Sequence, residues 1–368
     1  MIISDIEIRV CRSSTPEFAA SEMRFSTIKE MEFLVITMKT NDGQETSSFG
    51  FAATSARAAG RIAADALKPF FLGKNALYRE KHWHDYRMAD RWWNHVPIYS
   101  YGPFDICMWL LAAQAAGQPL YKYLGAYRDE VPIYASSLVM ESPEDYAKQA
   151  LEVKNKGWAG YKLHPPGSYD LDLEAYLLSR EAVGDDFTLM ADPVASHDYR
   201  SALKMGRELE KLNYYWFEEP VYDVDLYSLR KLTEALEIPI IGTEVIVGSH
   251  YSAAECIASH AVDIVRSDVS WKGGITAVMK TAHLAESFGM NCEIHTAILH
   301  PLELVNLHCC AAIKNCEFFE ILLPTDYFDF GLKEAIQIEK GHAHLPQKAG
   351  LGIELDWDFI ENCTLELL

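Results

Sequence analysis

Apolar and polar positions along this chain change their rhythm near residue 125. Beyond it, short apolar runs recur at 131–137, 160–164, 188–192, 214–218, 238–244, 263–268, 291–295 and 318–322. Amphipathic stretches such as Pro143–Lys156 and Ser201–Leu212 separate them. Apolar runs alternating with helical stretches predict βα units around a parallel sheet. Eight such units predict an α/β fold of the (β/α)8 TIM-barrel type, whose active site lies where the strands end. Before residue 125 the pattern differs. Ile2–Arg12 predicts a strand, and Glu32–Lys39 and Thr46–Ala53 flank Asn41-Asp42-Gly43, a hairpin signal. Helices are predicted near 55–71, 75–92 and 103–124, and the polar, aperiodic Ser13–Glu30 predicts a long loop. Strands followed by helices make a separate α+β unit. The predicted organisation is an N-terminal α+β domain over 1–125, a barrel over 126–323, and a C-terminal segment over 324–368 that returns to the N-terminal unit.

The predicted strand ends carry the chemistry. In order they are Ser136, Lys162 with His164, Asp192, Glu218, Glu244, Asp268, His295 and Glu320. A single acidic residue there is most simply a cap for the helix that follows. Seven consecutive ionisable ends are not explained that way, because buried charge is costly without partners. Asp192, Glu218 and Glu244 stand 26 residues apart each time, which suits one strand plus one helix of such a barrel. Three carboxylates on neighbouring strands repel one another unless a cation sits among them. An all-oxygen set favours Mg2+ over zinc, which recruits His or Cys more often. Glu219 follows Glu218 directly, so strand alternation assigns it a supporting or merely solvated place. Lys162 and His164 are two apart and face the same way. Asp268 is placed to orient His295, and Glu320, if protonated, to donate a hydrogen bond to a substrate carboxylate.

Composition narrows the partners. The chain has 368 residues, 49% of them hydrophobic, enough for a barrel and a second unit. Its net charge of −20 argues against nucleic acid or an anionic membrane as partner. No apolar run reaches the roughly 20 residues of a membrane span, and the N-terminus lacks the layout of a signal peptide. The eight cysteines show no CxxC spacing, as expected of reduced thiols in a cytoplasmic protein.

Several segments resemble the enolase superfamily, and within it the mandelate racemase subgroup, over essentially the whole chain. Ala116-Gly-Gln-Pro-Leu-Tyr-Lys-Tyr-Leu-Gly125 resembles that family's AGxPLYxLLG; Phe217-Glu-Glu-Pro220 and Gly242-Thr-Glu244 resemble its second and third metal-ligand segments. Gly273-Gly274-Ile275 and Glu293-Ile-His295 resemble the segments around its Asp–His pair. The resemblance implies Mg2+ on Asp192, Glu218 and Glu244, proton abstraction beside a substrate carboxylate, and an enediolate. It implies one acid/base arm of His295 with Asp268, an opposite arm of Lys162 with His164, and Glu320 at the substrate carboxylate. It further implies that the N-terminal unit is a capping domain, closing through loops near Ser13–Arg24 and Phe49–Ala53, and that the chain forms a homo-oligomer. Two departures stand out. The subgroup's Lys-x-Lys is here Lys162-Leu-His164, and the lysine that muconate-lactonizing relatives place three residues after the Asp is here Trp271, with Lys272 one place late.

Together with the resemblance, these residues imply a lyase that dehydrates a small carboxylate substrate, a sugar acid. A cycloisomerase of a sugar lactone or anhydro-sugar acid, and a racemase or epimerase, need the same groups. A non-catalytic metal-binding barrel would not require His295 or Lys162. A barrel amidohydrolase would need HxH on the first strand, which reads Ile133-Tyr-Ala-Ser136; His342-Ala-His344 lies in the tail. The substrate-choosing positions, Arg24, Phe51 and Trp92-Trp93, carry no unique chemical meaning.

Overall fold

The structure, a computed structural model, describes residues 1–18, 28–92 and 95–368. The N-terminal unit is an antiparallel sheet of β1 (Ile3–Phe18), β2 (Ile28–Thr40) and β3 (Glu45–Ala53). Helices α1 (Ala56–Ile62), α2 (Lys68–Phe71), α3 (Arg79–Trp92), α4 (Ile98–Ala115) and α5 (Leu120–Leu124) follow. Two expectations are corrected here. The polar Ser13–Glu30 does not begin as a loop, because β1 continues to Phe18 and pairs Ser13 with Met31, Ser14 with Glu30 and Phe18 with Ile28. The ladder satisfies that backbone whatever the side chains. The helix predicted over 103–124 starts at Ile98 and stops after Ala115, where Gly117 adopts φ +67° and Pro119 cannot continue it. Arg24 and Trp93, and with them much of the predicted lid, lie outside the described residues.

The barrel strands are β4 (Glu130–Ser136), β5 (Gly160–Leu163), β6 (Thr188–Ala191), β7 (Phe217–Glu218), β8 (Ile240–Gly242), β9 (Ile264–Ser267), β10 (Cys292–Ile294) and β11 (Phe319–Leu322). Helices α6 (Pro143–Asn155), α7 (Tyr169–Val183), α8 (Tyr199–Lys211), α9 (Leu226–Ala235), α10 (His250–Ala258), α11 (Ile275–Ser287) and α12 (His300–Ala312) alternate with them. Parallel ladders run without a gap from β4 to β10, and β11 pairs on the other side of β4. Tyr134, Met190, Trp216 and Ile241 fill the lumen with apolar bulk beneath the strand ends. Past β11 the chain forms a small hairpin, β12 (Ile338–Glu339) with β13 (His342–His344), and β13 pairs antiparallel with β4. It ends in α13 (Trp357–Cys363) and β14 (Thr364–Leu367), which pairs with β1, so the last strand joins the N-terminal sheet.

The two units meet where Gly273-Gly274-Ile275 enters α11. Gly274 has φ +91°, and a Cβ there would lie 2.7 Å from Asp105 Oδ2 on α4. Asp105 is fully buried and accepts from Thr276 N at 2.8 Å and Thr276 Oγ1 at 2.6 Å. The glycine lets α4 approach the start of the barrel helix, and this fixes the N-terminal unit over the strand ends.

Candidate active site

The carboxylates of Asp192, Glu218 and Glu244, delivered just past or at the ends of β6, β7 and β8, offer oxygens all within 4.8 Å of one another. All three are largely buried. Glu218 is the deepest. It accepts from Arg266 Nε at 2.6 Å, Lys162 Nζ at 3.0 Å and Trp216 Nε1 at 3.2 Å. Lys162, itself fully buried, also reaches Asp192 Oδ2 at 3.1 Å and Glu320 Oε1 at 3.0 Å. Burial works against the lysine's charge, but Glu218 and Glu320 hold its pKa well above the usual range. Glu244 is in the opposite situation. Burial first, then the carboxylates of Glu219, Glu218 and Asp192, push it well above the usual range.

This arrangement suits a bound cation. Five carboxyl groups (Asp192, Glu218, Glu219, Glu244 and Glu320) face Lys162 and Arg266 and, farther off, Lys272, and among the described residues the only ion-pair partner of Glu244 is the His295 imidazole. An oxygen-only donor set with excess negative charge suits Mg2+.

Two imidazoles flank the cluster. His164, past β5, places Nδ1 2.5 Å from Ser137 O and Nε2 2.9 Å from Asp192 Oδ2. The backbone carbonyl takes the Nδ1 proton, which leaves Nε2 as the nitrogen directed at the cluster. His295, past β10, points Nε2 at Glu244 Oε1, 3.2 Å away, and Nδ1 at Asp268 Oδ2, 3.7 Å away. Neither His295 Nδ1 nor Asp268 Oδ2 makes a hydrogen bond. The other oxygen of Asp268 accepts from Ser270 N and Trp271 N, and the Trp271 ring lies 4.9 Å from that of His295. A cavity of about 290 Å3 opens above, lined by both imidazoles, Asp192, Glu219 and Glu244, with Met31 and Phe51 contributed by the N-terminal sheet.

The structure brings all the predicted residues together, but not in the predicted places. Lys162 lies beneath the cavity rather than in its wall, so only His164 of that pair faces it. Glu320 does not line it either. Burial opposes its charge, yet Lys162 and Arg266 hold its pKa well below the usual range, so the expected protonated donor is not formed. Glu219 is buried, not solvated. The strand ends at Glu218, Glu219 turns to φ +33°, and its Oε1 accepts from Glu244 N at 2.8 Å. Lys272 is directed elsewhere, donating to Ile246 O at 2.7 Å. Arg266 was missed because it sits inside a strand and not at its end, although a charge amid Ile264-Val-Arg266 was a visible signal.

Glu303 on α12 fixes the loop after His295. Its Oε1 accepts from Ile298 N at 2.8 Å and bonds the Thr296 hydroxyl, while Ile298 holds φ +67°, a strained value for a β-branched residue. Burial pushes Glu303 up to about 8, against the pull of the Thr296 hydrogen bond. The folded protein therefore keeps a proton that the unfolded chain gives up near its ordinary value of about 4.3. Stability is lost as pH rises from there and levels off above about 8. Glu303→Gln keeps the acceptor and removes the titration. Its melting temperature relative to wild type is expected to climb between pH 5 and 8.5, and a difference independent of pH would contradict this.

The family described as "Enolase C-terminal domain-like" matches residues 145–359. The chain is 31% identical over 329 residues to arabinonate dehydratase of Saccharolobus solfataricus, covering 88% of each. It is 29% identical to L-talarate/galactarate dehydratase of Salmonella typhimurium, covering 90% of this chain and 82% of that one. The crystal structure of D-glucarate dehydratase from Agrobacterium tumefaciens, complexed with magnesium, superposes with a TM-score of 0.89 at 35% identity over the full length of both chains. The chain belongs to the enolase superfamily, as an enzyme with a barrel and an N-terminal capping domain.

Proposed function

We propose that this protein is a Mg2+-dependent sugar-acid dehydratase. The observation that carries the proposal is the pair of imidazoles, His164 and His295, set on strands β5 and β10 to either side of one buried carboxylate cluster. Asp192, Glu218 and Glu244 would hold Mg2+, which when bound supplies a Lewis acid for the substrate carboxylate and the charge that develops there. One imidazole Nε2 removes the α-proton. The other protonates the departing β-hydroxyl, which leaves as water, and the enol that remains ketonises to a 2-keto-3-deoxy acid. Asp268 orients and supports His295, while Lys162 and Arg266 pair with Glu218 and keep Glu320 ionised beneath. The relatives at 29–31% identity and the 35% identical structure are dehydratases, which supports this chemistry, while an epimerase, a cycloisomerase and a racemase match at 24–28%. The eight free cysteines, seven of them buried, support a reducing, cytoplasmic setting. Among the described residues no helix is long and apolar enough to cross a membrane.

The test is a screen of sugar acids and their lactones with purified protein and Mg2+, following 2-keto-3-deoxy acid as its semicarbazone. Formation of that product from at least one acid, abolished by chelator, is the expected result. Epimerised acid without keto product would transfer the assignment to a racemase, and keto product formed only from a lactone or anhydro-sugar acid, with no loss of water, would transfer it to a cycloisomerase.

A further inference from the structure

The Asp268–His295 pair sits on two separate loops, and one side chain outside the cavity spans both. Asn306, on α12 and fully buried, donates from Nδ2 to His295 O at 2.7 Å and accepts at Oδ1 from Val269 N at 3.1 Å. Val269 directly follows Asp268. The amide thus clamps the backbone of both partners while touching neither carboxylate nor imidazole. Other ties between the two loops are His295 N donating to Ser267 O at 2.9 Å and a long bond of 3.5 Å from Ser270 Oγ to Ala297 O. The first fixes the strand ladder and the second lies beyond the pair, so neither sets the approach of the two side chains.

We infer that Asn306 is a positioning residue that sets the distance and angle between Asp268 and His295. Helix phase makes this possible: Glu303 lies three residues before Asn306 on the same face of α12 and holds the far end of the same loop at Ile298 N. The helix therefore pins the loop at residues 295 and 298. The loop cannot relax between these points without breaking a bond to a buried partner, and each such loss leaves a buried polar group unpaired. The 3.7 Å separation of Asp268 Oδ2 from His295 Nδ1 is the quantity under this control. It is just long of a hydrogen bond, so small displacements of either loop decide whether the bond forms.

The inference rests on the proposed role of His295 for its kinetic consequence, but its structural consequence stands alone. Asn306→Leu keeps most of the side-chain volume and removes both bonds; Asn306→Ala serves as the second variant. In both, kcat is expected to fall about 10- to 100-fold with KM changed less than about threefold, as for a misplaced acid/base group. Mg2+ affinity by calorimetry should stay as in wild type, because Asn306 touches none of the three carboxylates. Crystal structures of the variants should show the Asp268–His295 separation altered. An unchanged separation, unchanged kcat, or a rise in KM alone overturns the inference. So does failure of both variants to fold, which would make Asn306 a general structural residue. If wild type turns over no sugar acid, the proposed function fails, while the variant structures still decide the positioning role.

Discussion

Replacing His295 with asparagine is expected to lower turnover by about 10³-fold, the usual scale for a lost acid/base group, while the fold and Mg2+ binding persist. The asparagine amide takes the place of Nδ1 toward Asp268 and gives up only the Nε2 approach to Glu244 at 3.2 Å, while Glu219 still holds the Glu244 backbone N, so the carboxylate cluster should not reorganise. Asp268→Asn is expected to be impaired less. Its Oδ1 still accepts from Ser270 N and Trp271 N, and only the charge facing His295 Nδ1 is removed. The informative measurement is exchange of the substrate α-proton with deuterated solvent. His164 faces the cluster from the other side, so exchange without product in His295→Asn would make His164 the base and His295 the acid that expels the hydroxyl. Loss of both exchange and turnover would make His295 the base. Unimpaired activity would sink the assignment altogether.

The parts of this site legible in the sequence share one property: each ends an apolar run. Strand period and the βα repeat place Asp192, Glu218, Glu244, Asp268 and His295 at one rim without any knowledge of contacts. Depth along the barrel axis is not written in that pattern. Lys162 and His164 share a face, but only the side-chain partners decide that Lys162 stays below with Glu218 and Glu320 while His164 emerges. Alternation points Glu219 to a supporting place near the rim, which its bond to Glu244 N fills, but it does not show that the side chain is buried, because β7 has only two paired residues and the chain turns immediately after them. Composition likewise failed at Ser13–Phe18, where backbone pairing with β2 outweighs a polar sequence. Asn306 lies eleven residues beyond His295 on a helix, and nothing in local sequence announces that its amide returns to that carbonyl.

The carboxylate triad itself yields the second large effect, because its members are not equivalent. Glu218 holds two buried cations, Arg266 at 2.6 Å and Lys162 at 3.0 Å. Glu218→Gln leaves both with a neutral partner whose NH2 must face one of their donors. Lys162 keeps Asp192 and Glu320 and Arg266 keeps Glu320, so the loss should be smaller than the roughly 3–5 kcal/mol of a fully broken buried pair, yet the metal-free variant should still melt below wild type. Glu244 makes no ion pair among the described residues except with His295, has Lys162 and Lys272 only at longer range, and stands among Glu219, Glu218 and Asp192. Glu244→Gln relieves that repulsion, and the metal-free protein should melt at or above the wild-type temperature. On the proposed function, wild type should gain stability from Mg2+ by mass action, since the unfolded chain offers no such site. Both variants should lose that gain, because each removes one of three anionic ligands. Thermal melts with and without Mg2+ therefore give opposite shifts for two members of one triad in the apo state, and a common loss of metal response. Shifts of the same sign in the apo state would contradict the ionic layering beneath the site, and a retained Mg2+ response in both would remove Glu218 and Glu244 as ligands.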